Sequence, residues 1–172
     1  MTKRISIRGQ RPAKKPYHYR ACGLDDVYLT DGFVEEKTAY GPAVTITDVP
    51  GLHRAIGRNI ISQGKPLSAR EFRFLRKNMD LTQEVLAARL DLDGQTIARY
   101  EKDQTAVPRA IDIVVRVMFA LHVAPPDRRE EMIEEIRSIV EDELSQTSGP
   151  EREFGLTKKG WRNRAVHVQH VH

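Results

Sequence analysis

The sequence predicts a mainly α chain: a five-helix helix-turn-helix domain, preceded by a small α+β N-terminal region and followed by an amphipathic C-terminal helix. Three observations carry that prediction. Apolar residues recur at helical spacing from about Ser68 to Leu144. Two short amphipathic stretches, Gln83–Leu90 and Gly94–Lys102, are parted only by Asp91-Leu92-Asp93, a tight helical corner. Upstream, short β-branched and aromatic pieces alternate with glycines, as in a small sheet.

The chain has 172 residues, 40% hydrophobic and 30% charged, enough for one cored domain with a small companion. Residues 1–16 are expected to form a disordered basic arm, punctuated by Pro12 and Pro16. Residues 17–65 form the N-terminal region, with strands expected at Val27–Leu29, Phe33–Val34 and Ala43–Ile46. A helix capped by Asp48 follows from Pro50 to about Ser62, burying Leu52, Ile56 and Ile60, and Gln63–Pro66 reads as a stop and linker.

Residues 66–124 hold the helix-turn-helix domain. Ser68, with Glu71 three residues on, makes a capping box for a helix that buries Phe72, Leu75 and Met79. Thr82 starts the next helix and Asp93 caps the third. Leu86, Ala87 and Leu90 face Ile97 and Tyr100, with Ala87 small at the crossing and Leu92 plugging the corner. Pro108 opens a helix to about His122, whose apolar stripe is wider than one packing face requires. Residues 125–146 form the C-terminal amphipathic helix, with Ile133, Ile136 and Ile139 on its apolar face. Residues 147–172 are expected to be a flexible tail with an isolated Trp161.

The run Leu81-Thr82-Gln83-Glu84, then Leu86-Ala87, Leu90, Leu92, Thr96-Ile97 and Arg99-Tyr100-Glu101, resembles the lambda-repressor-like, or XRE, family of helix-turn-helix regulators. With its flanks, including YHYRACGLDDVYL near the start, the chain looks like the MqsA/YgiT-like antitoxin and regulator group. Two departures are visible. Asp91 and Asp103 stand where that group usually has glycine, and aspartate tolerates left-handed backbone at modest cost. The paired zinc cysteines of that group are missing, since this chain has one Cys. The resemblance also implies a structural ion pair between Arg76 and Glu101.

Net charge is +4, but the charges are segregated. Basic runs occupy the first twenty residues and the stretch Arg54–Lys77, whereas Asp25-Asp26, Glu35-Glu36 and Glu130–Glu135 are acidic. Such segregation suits a polyanionic partner, against the plainer alternative of a solvated surface. A single Cys22 excludes an internal disulfide framework and suits a reducing compartment. No apolar run approaches the ~18–20 residues of a membrane span, and the basic N-terminus has no apolar signal core. A cytoplasmic protein with no membrane role is expected.

The front of the second helix of such a motif faces the major groove, so Gly94, Gln95, Thr96 and Arg99 are the expected base contacts. Gln95 suits adenine, Arg99 suits guanine, and Thr96 offers a methyl or hydroxyl. Thr82, Gln83, Lys102, Gln104 and Thr105 are expected on the phosphate backbone. Arg8 and Arg11 are candidates for a minor-groove arm. The expected partner is double-stranded DNA with a palindromic operator, bound by a homodimer whose interface includes Val114, Val115, Met118, Phe119, Ile136 and Ile139; these also suit the domain's own core. A dimeric autorepressor is the leading function. The alternative is an antitoxin or adaptor that grips a toxin through its N-terminal region. No catalytic constellation, metal site or cofactor is expected: His18 and Cys22 lack helical register, and His167, His170 and His172 lack supporting partners.

Overall fold

The computed structural model describes residues 15–39, 41–125, 128–131, 133–134 and 152–163. Two strands, β1 (Tyr17–His18) and β2 (Val27–Leu29), flank a 3-10 turn at Arg20–Cys22. A hairpin of β3 (Phe33–Thr38) and β4 (Gly41–Ile46) leads into helix α1 (Val49–Ile61). Then come α2 (Ala69–Asn78), α3 (Gln83–Arg89), α4 (Gly94–Glu101) and α5 (Arg109–Val123), and finally β5 (Arg152–Thr157) and β6 (Gly160–Asn163).

Local signals set the helix starts. The Ser68 hydroxyl accepts from the Glu71 N–H while the Glu71 carboxylate accepts from the Ser68 N–H at 2.9 Å, closing the capping box. The carboxylates of Asp48 and Asp93 and the hydroxyl of Thr82 accept from N–H groups in the first turns of α1, α4 and α3. Among the described residues, the non-glycine positions with left-handed φ are all aspartates: Asp48, Asp80, Asp91 and Asp103. The two departures from glycine at Asp91 and Asp103 are thus accommodated by the backbone they were expected to adopt.

Pairing runs β1-β2-β5-β6, with β3–β4 as a separate two-stranded sheet. Strand β5 lies parallel to β2, Val27 opposite Arg152 and Leu29 opposite Phe154. A parallel pair needs a crossover connection, and here nearly all the helices lie within it. Residues 152–163 therefore differ from the flexible tail expected of 147–172. Phe154 is fully buried, and the Trp161 indole N–H donates to the Thr47 carbonyl at 3.1 Å. Gly32, at φ +76°, lets that indole close down: a Cβ there would stand 2.5 Å from the ring.

One core joins these parts. Val27, Leu29 and Phe154 from the sheet are continuous with Leu52, Ile56 and Ile60 of α1 and with Phe72, Leu75 and Phe119 of the helices beyond. Burying each such side chain contributes ~1.5–3 kcal/mol. Helix α1, grouped by sequence with the N-terminal region, packs on α2 and α5. Gly57 makes this approach possible, since a Cβ there would fall 2.1 Å from the Phe119 ring.

Buried charges fasten the same junctions. Arg116 of α5 donates to the carbonyls of Ile60, Ile61, Gln63 and Lys65, satisfying the C-terminal end of α1 and its exit. It pairs with Asp112, whose other oxygen accepts the Leu67 N–H at 2.7 Å. Arg152 pairs with Asp26 at 2.7 Å and with Glu71, tying β5 to the start of α2. Burial by itself would raise the Glu71 carboxyl, but the charge of Arg152 and the hydrogen bond from Lys65 outweigh it and hold it below the usual carboxylate range.

The residues expected at a dimer interface divide between the core and the surface. Val115 and Phe119 are fully buried in the chain's own core, because α1 covers that side of α5. Val114 stays 42% exposed and Met118 half-buried. Ile136 and Ile139, the arm with Arg8 and Arg11, and the histidines of the tail lie outside the described residues.

Candidate nucleic-acid interface

The α3–α4 corner is built from apolar contacts inside and polar groups outside. Leu86 and Ala87 of α3 meet Ile97 and Tyr100 of α4, all buried. Asp91, at φ 53°, turns the chain so that the Leu92 N–H donates to the Ala87 carbonyl at 2.9 Å. Tyr100 sets its ring edge-on to Phe72, centroids 5.8 Å apart, so α4 is seated on α2.

An ion pair locks that seat. Arg76 of α2 reaches Glu101 of α4 through two parallel hydrogen bonds, 2.5 Å from Nε and 3.0 Å from Nη2. Its Nη1 donates to the Leu81 carbonyl at 2.6 Å, just ahead of α3. Gln83 completes the group by donating from Nε2 to Glu101 Oε2 at 2.8 Å. The fork geometry fixes the angle between the three helices. It also means that the Gln83 amide, expected on the DNA backbone, has one N–H engaged internally.

The outer surface differs. Gln95 and Arg99 are exposed, one turn apart on α4, and neither side chain has a hydrogen bond or ion pair among the described residues. Thr96 is half-buried between them. Lys102, Gln104 and Thr105 are exposed just beyond the helix. Thr82 is exposed at the start of α3, its oxygen accepting from the Val85 N–H at 3.2 Å and its O–H donating to the Glu84 carboxylate. At Gly94 a Cβ would lie 3.8 Å from Glu84, an ordinary contact, so packing does not demand glycine there. Asp93 is occupied as the α4 cap, accepting from the Gln95 N–H at 2.6 Å.

Cys22, the lone thiol, is raised above its ordinary value by burial first, and its S–H donates to the Tyr19 carbonyl at 3.2 Å. Among the described residues no group of three or more His, Cys, Asp or Glu side chains could hold a metal ion, and no helix is long and apolar enough to cross a membrane.

Sequence reading missed Arg116, Asp112 and Arg152, which position the scaffold behind this surface. The signal at Asp112 and Arg116 was an opposite-charge pair four residues apart inside an otherwise apolar stripe. Arg152 offered no local signal.

The helix-turn-helix family model matches residues 72–111, from the first turns of α2 into α5. Over that segment the chain is similar to a helix-turn-helix. No match to the chain was found among the curated proteins or among the solved structures.

Proposed function

We propose that the chain is a sequence-specific, dimeric transcription regulator that represses its own operon and reads the major groove with the front of α4. One observation carries this reading: Gln95 and Arg99 stand exposed, with no side-chain partner among the described residues, on a helix whose orientation the Arg76–Glu101 pair fixes. Bidentate pairing, Gln95 donating to adenine N7 and accepting from N6 or Arg99 donating to guanine O6 and N7, is the chemistry that would engage such side chains. Thr82, Lys102, Gln104 and Thr105 flank them and supply phosphate contacts that set register. Dimerisation uses the outward residues of α5, Val114 and Leu121, which are 42% and 38% exposed. Selecting bound fragments from genomic DNA tests the reading. It expects a two-fold sequence with half-sites about one helical turn apart, beside the chain's own gene. Recovery of unrelated fragments would refute it.

A second reading, an antitoxin or adaptor, rests on the β3–β4 hairpin. Val34, 49% exposed, sits beside the exposed Glu35 and Glu36. That acidic, partly apolar surface repels DNA and suits a protein partner such as a toxin. Co-expression with the neighbouring reading frame, followed by deletion of the hairpin tip, distinguishes the two functions.

A further inference from the structure

The DNA-binding reading leaves unused a concavity between α1, the chain after α5 and the β5–β6 turn. Arg54, Arg58 and Asn59 come from α1, Arg128 follows α5, and Lys159 and Arg162 come from the hairpin. Arg54, Lys159 and Arg162 are exposed and have no salt bridge among the described residues. Arg58 makes one neutral hydrogen bond, to the Val123 carbonyl at 3.3 Å. The two carboxylates at the rim are engaged: Asp48 caps α1, and Glu131 pairs with Arg128. Positive groups therefore outnumber the carboxylates in this lining, and Arg54, Lys159 and Arg162 carry their charge with no salt bridge among the described residues.

The helix itself aims these groups outward. Arg54 and Arg58 each follow a buried residue, Leu52 and Ile56, by two positions, or about 200° around the helix. They thus point away from the face that α1 buries on α2 and α5, while α3 and α4 attach through α2.

We propose that this concavity binds a small, multiply charged anion bearing phosphate or carboxylate groups, an effector site separate from the DNA-reading edge. Guanidinium and ammonium groups lining one concavity match such oxygens by charge-assisted hydrogen bonds. Three segments distant in sequence form the walls, so the ligand would also join the β5–β6 hairpin to α1.

Trp161 is the single tryptophan of the chain and lies in the wall, so its fluorescence reports occupancy without a label. Full-length protein is titrated with inorganic pyrophosphate and, separately, with citrate at constant ionic strength; calorimetry covers an insensitive indole. A saturable response to either supports the site, and the stronger ligand distinguishes phosphate from carboxylate. Arg54→Ala and Arg162→Ala, confirmed folded by thermal melting, each weaken it about tenfold. Arg73→Ala, exposed on α2, leaves it unchanged. The proposal is overturned by a response that never saturates, or by one that survives both substitutions. It is equally overturned if random duplex DNA displaces the anion and loses affinity in the same variants, which would make the concavity a nucleic-acid surface.

Discussion

At the front of α4, Arg99 is exposed with no partner among the described residues; at the start of β5, Arg152 is 3% exposed and shared between Asp26 and Glu71. The same side chain serves opposite ends. In the junction of sheet and helices, Arg116 and the two terminal nitrogens of Arg152 are matched by carboxylates or carbonyls, so their charge is spent inside the fold, although among the described residues the buried Arg152 Nε has no hydrogen-bond partner. Along the front of α4 the Gln95 amide and the Arg99 charge have no partner among the described residues, and on the proposed reading base edges complete them. Pairing, rather than residue type, separates the charges that hold this molecule together from those available to a ligand.

The contrast breaks most visibly at Arg152. Arg152→Ala leaves Glu71 buried with Lys65 as its remaining charged partner, and is expected to cost about 3–5 kcal/mol in denaturant unfolding. A loss below about 1 kcal/mol, the range of surface pairs, would put Arg152 on the wrong side of the comparison. Next in size is Gly57→Ala, which forces a methyl against Phe119 and should lower stability by about 1–3 kcal/mol.

Acid sharpens the same distinction. Glu71 has its folded pKa depressed, so its contribution is present above the ordinary glutamate value of ~4.3 and is lost as pH falls through the lower folded value. Unfolding midpoints measured downward from pH 6 should fall across that window, and less steeply in Arg152→Ala. On the exposed side the smallest effect is expected at Lys102. Lys102→Ala should leave stability unchanged and reduce the salt dependence of DNA binding by about one counterion.

The α3–α4 corner was legible in sequence because it is local. Capping residues, the helix breaks at Asp91 and Asp103 and the apolar spacing of Leu86, Ala87, Ile97 and Tyr100 all act within a few residues. Strand β3 was read short, ending at Val34, because Glu35, Glu36 and Lys37 are exposed and show no apolar alternation. The β5–β6 hairpin was missed for a different reason. Its partner β2 has three residues and lies nearly the whole chain away, so neither strand announces the other. The place of α1 in the bundle was hidden likewise: Gly57 reads as a weak helix position until Phe119 is seen against it.

The central claim, that the unpaired side chains of α4 read base edges, is tested most directly by Arg99→Ala and Gln95→Ala. Each variant is measured on the selected operator and on a scrambled duplex, with thermal melting alongside. Each should lose about 1–3 kcal/mol on the operator, little on the scrambled duplex, and nothing in melting temperature. Equal losses on both duplexes, or a loss that follows a lowered melting temperature, would contradict it.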